Sequence, residues 1–134
     1  MQTSSAVHKS RPPKAEDMDH APQVVDHVKS QAVTDGDAVT LTCRIIGAKK
    51  FDVIWLHNNK EIKPSKDFQY SNEANIHKLT IAEIFPEDCG TYTCEAFNDQ
   101  GGSFSSCTLN VLGKIFQKFL TIIIIFLYSL ISTI

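Results

Sequence analysis

The spacing of two cysteines and the single tryptophan constrains the fold more than any other feature of the 134-residue chain. Cys43 is followed by Trp55, and a second cysteine, Cys94, closes a short segment that reads Asp88-Cys89-Gly90-Thr91-Tyr92-Thr93-Cys94. Residues 39–45 alternate between apolar and polar side chains, which is typical of a strand with one buried face. We therefore expect positions 39, 41, 43 and 45 to point into a core.

Short strands separated by turn residues continue this pattern over residues 22–112. An edge strand is expected over residues 22–28, where its proline would cost least, and Gly90 suits a tight turn beside Asp88. Closely spaced strands of this kind predict an all-β, two-sheet antiparallel sandwich. Alternation places the following side chains inward: Val53, Trp55, Leu79, Ile81, Tyr92, Cys94, Ala96, Cys107, Leu109 and Val111.

The cysteine, tryptophan and tyrosine spacing resembles the immunoglobulin fold. It is most similar to the intermediate-set (I-set) domains of titin, kettin, palladin and myosin light chain kinase. The resemblance implies that Cys43 and Cys94 face each other from opposite sheets, with Trp55 beside them, and that the Tyr92 hydroxyl bonds backbone at a strand corner. The core signature that it implies consists of Cys43, Trp55, Leu79, Asp88, Gly90, Tyr92 and Cys94.

Two oxidation states of the cysteine pair stay open at the level of sequence. The first 20 residues contain no long apolar run of a secretory signal, and no asparagine stands in an N-glycosylation acceptor. Both observations favour a reducing compartment, where Cys43 and Cys94 would pack as buried thiols. The alternative is a disulfide between Cys43 and Cys94.

Three regions follow from these patterns. Residues 1–21 are polar and predict a disordered linker, residues 22–112 form the I-set domain, and residues 113–134 form a hydrophobic tail. Residues 119–134 carry no charge and would span roughly 24 Å as a helix, which is short for a bilayer core of ~30 Å. The tail is interpreted either as a single transmembrane anchor, with Lys114 and Lys118 on the cytosolic side, or as read-through of an intron.

The sequence predicts no catalytic site, no metal site and no cofactor. Its cysteines and histidines include no closely spaced ligand pair of the zinc-finger type. No phosphate-binding glycine loop or nucleophile elbow is present. The formal net charge of −2 and the isoelectric point near 6.2 give no overall attraction for nucleic acid.

We therefore expect a non-enzymatic protein-binding and structural module of a cytoplasmic, cytoskeletal or sarcomeric protein. The resemblance to palladin implies a filament contact through Lys60, Lys63 and Lys66, whereas interleaved acidic residues favour an ordinary solvated face. Neighbouring immunoglobulin domains are further expected partners, and docking is expected at the sheet edges formed by residues 22–28 or 103–111. The alternative function is a single-pass membrane protein with an adhesion or receptor-like role.

Overall fold

The computed structural model describes residues 18–133. This part of the chain contains nine strands, one short 3-10 turn at Pro86–Asp88 and one C-terminal helix. The strands are β1 Gln23–Asp26, β2 Gln31–Thr34, β3 Val39–Ile46, β4 Asp52–His57, β5 Lys60–Glu61, β6 Phe68–Glu73, β7 Ile76–Ile81, β8 Gly90–Asn98 and β9 Gly101–Leu112, and the helix is α1 Lys114–Ser132.

Two sheets pack face to face, as the sequence predicts. The first has the order β1-β3-β7-β6, and the second has the order β2-β9-β8-β4-β5. Cys43 lies on β3 and Cys94 on β8, so the two cysteines approach from opposite sheets. The expected two-sheet sandwich is therefore confirmed.

The N-terminal strand differs from the prediction of one edge strand. β1 pairs antiparallel with β3, whereas β2 pairs in parallel with β9, so the sandwich is not wholly antiparallel. The chain changes sheets between the two strands, and the backbone amide of Val28 donates to the buried Ser105 hydroxyl at 2.9 Å. The Thr108 amide donates to the Ser30 hydroxyl at 2.9 Å. These two serine contacts hold residues 28–30, where the chain crosses between the sheets, against β9. The alternation of valines in the sequence did not predict this crossing.

The core follows the predicted alternation closely. In β3 every inward residue is buried and every intervening residue is exposed. Trp55 is 1% exposed, while Val53 and Val111 are only partly buried at the margin of the core. The fully enclosed apolar side chains include Leu41, Ile45, Leu79, Ile81, Ile84, Tyr92 and Leu109.

Helix α1 follows the last strand after a single residue, Gly113. None of its residues is buried, and its apolar side chains face outward along the whole length. Folding of the sandwich therefore does not use the apolar surface of α1.

Candidate interaction surfaces

Two hydrogen bonds that Asp88 accepts fix the corner before β8. The Tyr92 hydroxyl donates to the Asp88 carbonyl oxygen at 2.6 Å, and the Asp88 carboxylate accepts from the Phe85 amide at 2.8 Å. Burial is the main cause that raises the pKa of Tyr92 above its ordinary value, with the Asp88 charge adding to it. The phenol therefore remains a hydrogen-bond donor at neutral pH.

Gly90 makes room for a neighbouring turn at the same corner. Its φ is +133°, and a Cβ there would collide with the side-chain amide of Asn58. The Asn58 side-chain oxygen accepts a hydrogen bond from the Thr91 backbone amide at 3.0 Å, and the Asn58 backbone amide donates to the Thr91 carbonyl at 2.8 Å. His57 stacks on Tyr92 with ring centroids 4.5 Å apart and donates from Nε2 to the Cys89 carbonyl. These contacts join the turn between β4 and β5 to the corner before β8.

The paired cysteines are unbonded thiols in the structure. Cys43 and Cys94 are both almost fully buried and are hydrogen-bonded to each other. The hydrogen bond with Cys43, together with burial, raises the pKa of the Cys94 thiol. Burial likewise raises the pKa of Cys107, and Cys89 is the exposed member of the four. Protonated thiols in an apolar core behave as small hydrophobic side chains.

Tyr70 connects the two sheets at one side of the sandwich. Its hydroxyl accepts a hydrogen bond from the Trp55 amide at 3.0 Å and donates to the Ile62 carbonyl. Trp55 and Ile62 also share a backbone hydrogen bond of 2.8 Å. Burial is the main cause that raises the pKa of Tyr70. The Tyr70 hydroxyl on β6 therefore satisfies one backbone group of β4 and one of the segment after β5. The sequence did not indicate this role.

The chain ahead of β1 is attached to two loops. The Asp19 carboxylate accepts from the amides of Lys49 at 2.7 Å and Lys50 at 3.0 Å. The Asn98 side chain donates to the carbonyls of His20 at 2.7 Å and Lys50 at 3.0 Å. Residues 1–17 of the expected linker lie outside the described residues, but Asp19 and His20 near its end are hydrogen-bonded to the domain.

Asp19 predicts a stability change at acidic pH. The backbone hydrogen bonds from Lys49 and Lys50 lower the pKa of Asp19 below its ordinary value of 3.8. A lowered native pKa contributes stability that is fully present above about pH 4 and is lost as the pH falls through the native pKa. We expect Asp19→Asn to be less stable than the wild type at pH 6 and the two to converge in acid. Urea unfolding between pH 2 and pH 7 measures this difference, and a constant difference would contradict the prediction.

Lys60, Lys63 and Lys66 lie in and after β5, the edge strand of the five-stranded sheet. Lys60 is in β5, and the other two lie in the connection to β6. All three are exposed, and none takes part in the two ion pairs found within residues 18–133. The structure thus groups three unpaired cations along one short surface segment.

The predicted edge over residues 103–111 is only partly open. Residues 109–112 of β9 pair with β2, so that stretch lies inside the sheet. Residues 103–107 pair with β8 on one side and have no backbone hydrogen bond to β1 or β2 on the other. The amide of Thr108 points away from β8 to Ser30, and strand alternation gives the Ser106 and Phe104 amides the same direction. The free edge is therefore the first half of β9.

Helix α1 is the one helix in the described part of the chain that is long and apolar enough to cross a membrane. It contains 19 residues with a mean hydropathy of 2.0 over its most apolar window, and none of that window is buried. At 1.5 Å per residue it is about 28 Å long, close to a bilayer core.

No cluster of three His, Cys, Asp or Glu side chains within residues 18–133 is arranged to hold a metal ion. The sequence had indicated the core and corner residues because their spacing is distinctive. It did not indicate Tyr70, Asp19, Asn58 or Asn98, whose polar side chains act on backbone groups distant in the chain. For the Asn58 contact the sequence signal was Gly90, because glycine readily adopts a positive φ and leaves the space that the Asn58 side chain fills.

The profile of the immunoglobulin I-set domain matches residues 22–111. Smooth-muscle myosin light chain kinase from Gallus gallus is 40% identical over 91 residues, which cover 68% of this chain and 5% of the kinase. Titin from Drosophila melanogaster is 37% identical over 111 residues, which cover 83% of this chain and 1% of titin. The chain thus spans only a small fraction of the relatives it matches, and the region shared with the kinase is the immunoglobulin region.

A solved structure of titin domains Z1Z2 in complex with telethonin has the same fold. It is 38% identical with a TM-score of 0.66, and the match covers 69% of this chain and 47% of that chain. The family profile, the relatives and the two-sheet architecture agree over the same residues. This chain belongs to the immunoglobulin I-set domain family.

Proposed function

We propose that the chain is a non-enzymatic protein-binding and structural module of a cytoskeletal or sarcomeric protein. Support comes from its relatives, which are muscle and cytoskeletal proteins, and from the titin domains of the same fold that were solved with telethonin bound. The module acts by rigidity and adhesion. Its closed corner and core hold the strand edges and sheet faces in fixed positions, where partner proteins can bind.

The open edge of β9 is the observation that carries this proposal. Residues 103–107 present backbone donors and acceptors on a rigid sheet, which is the arrangement that binds an added strand. Ser103 and Ser105 hold the N-terminal segment close to this edge through their hydroxyls, with Ser103 accepting from the Val24 amide at 3.1 Å. A partner strand would therefore bind beside β1.

Cell fractionation tests the proposed location. We expect residues 18–113, expressed in muscle cells, to remain with the detergent-insoluble cytoskeleton, because this fragment keeps every strand of the sandwich and lacks only the terminal segments outside it. Ser106→Pro removes an outward amide without removing a hydrogen bond to β8, so it should reduce this retention. Ser106→Ala is the matched control, since both variants lose the hydrogen bond of 2.8 Å between the Ser106 and Thr93 hydroxyls. A fragment that is fully extracted would contradict the proposed location.

The three exposed lysines make a separate prediction about actin. If Lys60 and Lys63 contact filaments, Lys60→Glu/Lys63→Glu should reduce cosedimentation with actin at least tenfold, because attraction to an acidic filament becomes repulsion. Lys29→Glu/Lys50→Glu makes the same charge change elsewhere on the exposed surface and is the control. Equal loss in both double variants would point to net charge alone, and cosedimentation unaffected by either would exclude the lysine contact.

A second candidate function is a membrane-anchored immunoglobulin protein with an adhesion or receptor-like role. The exposed apolar surface of α1 favours it, because sixteen uncharged residues do not stay solvated in water. Carbonate extraction of membranes from cells that express the full chain separates the two candidates. A full chain that resists extraction, together with a fragment 18–113 that is soluble and not retained on the cytoskeleton, would support the membrane function.

A further inference from the structure

The outer face of the five-stranded sheet contains an apolar patch that the core does not use. Trp55 and Cys94 face inward as register partners, so their neighbours in the strands face outward. Ile54 lies opposite Glu95, and Glu95 lies opposite Phe104, which forms a row across β4, β8 and β9. Strands are about 4.8 Å apart, so this row spans about 10 Å.

Phe104 is the most exposed large apolar residue of the sandwich, at 67%. Ile54, Leu56 and Phe97 lie on the same face and are only partly covered. The Thr93 and Ser106 hydroxyls bond each other at 2.8 Å beside the patch and give it a polar border. An apolar centre with a polar border is the usual composition of a protein interface.

The charged residues on this largely apolar face are all acidic. Asp52 and Glu95 are the only charged residues at the outward positions of β4, β8 and β9. Glu95 is partly buried between two apolar neighbours in the row, Ile54 and Phe104. Within residues 18–133 its carboxylate has no ion pair and no hydrogen bond. A carboxylate in such surroundings binds an incoming cation more strongly than a fully solvated carboxylate would.

These charges decide between the occupants of the patch. A second copy bound through the same face would bring four carboxylates together, and an anionic lipid surface would also be repelled. An arginine fits both features, because its planar guanidinium pairs with a carboxylate and stacks on an aromatic ring. Lysine offers the charge but not the planar shape.

We propose that the outer face of β4, β8 and β9 docks a partner protein segment that presents an arginine among apolar side chains. The guanidinium lies on Glu95 and against Phe104, and the apolar neighbours of the arginine contact Ile54, Leu56 and Phe97. This docking rests on the proposed protein-binding function and assigns it a surface and a partner chemistry. It differs from strand addition at the edge of β9, which requires no particular side chain.

Selection from a random 12-residue peptide library on phage tests this inference with the full chain held in detergent micelles. Enriched peptides are resynthesised, and their dissociation constants are measured by fluorescence anisotropy. We expect arginine flanked by leucine, isoleucine or aromatic residues to be enriched. Glu95→Gln and Phe104→Ser should each weaken these peptides at least tenfold, and Glu95→Lys should select acidic peptides instead.

Two outward residues of the other sheet provide matched controls. Glu73→Gln and Ile76→Ser make similar changes at exposed positions and should alter affinity less than twofold. Thermal unfolding of every variant checks folding, and Phe104→Thr replaces Phe104→Ser if that variant is unstable. Peptides that lack arginine, or whose binding is unaffected by Glu95→Gln and Phe104→Ser, would overturn the docking face while leaving the binding function intact. A library that yields no binder would overturn both.

Discussion

Trp55→Ala should destabilise the sandwich by about 3–5 kcal/mol. The indole is 1% exposed and lies between the sheets beside Cys94, its register partner on β8. Truncation would remove its transfer free energy and leave a cavity that neighbouring strands, held by their ladders, cannot close. A small domain has a total stability of roughly 5–15 kcal/mol, so this loss is a large part of the whole.

Urea unfolding of residues 18–113, followed by far-ultraviolet circular dichroism, measures the change for Trp55→Ala. Thr42→Ala is the control, because Thr42 is an exposed residue of β3 and should change the free energy of unfolding by less than about 0.5 kcal/mol. A loss below about 1 kcal/mol for Trp55→Ala would mean that the indole does not fill the core.

Gly90→Ala should cost about 3 kcal/mol, because it combines an unfavourable φ with a steric collision. The φ of +133° is rarely adopted by residues with a side chain, and the new methyl group would displace the Asn58 amide. That displacement also breaks the hydrogen bond to the Thr91 amide. At a glycine with an unstrained, negative φ the same substitution would instead stabilise the protein by about 0.4–1 kcal/mol, so the sign of the effect tests the strain at Gly90.

A double variant separates the two causes. Asn58→Gly removes the colliding side chain at a residue whose own φ is +50°, a conformation that glycine adopts readily. If the collision matters, Gly90→Ala should cost less in the Asn58→Gly background than in the wild type, as measured by urea unfolding. An identical cost in both backgrounds would assign the whole effect to backbone strain.

The core and the corner were predictable because their residues act through local patterns. Alternation in β3 determines which side chains face inward, and it needs no knowledge of the partner strand. The Tyr92 contact with Asp88 spans four residues, so its spacing is visible in the chain. The Tyr70 hydroxyl, by contrast, reaches Trp55 fifteen residues away, and the Asp19 carboxylate reaches Lys49 thirty residues away.

The strand at the N-terminus illustrates the same limit. Its valines indicate a strand, but they do not indicate that the chain changes sheets between β1 and β2. That change depends on Ser105, which is 77 residues from Val28. The patch around Phe104 could not be predicted from the sequence either. It forms only when β9 lies beside β8 and β4, whose outward apolar residues are distant in the chain.

Residue order alone therefore decided the fold class, the inward-facing positions and the apolar character of the tail, because hydrophobic periodicity acts within each strand or helix. The packed sandwich decided the parallel pairing of β2, the open half of β9 and the isolation of Glu95 within an apolar face. Those properties arise from contacts between strands far apart in the chain. Their geometry exists only after both sheets have formed.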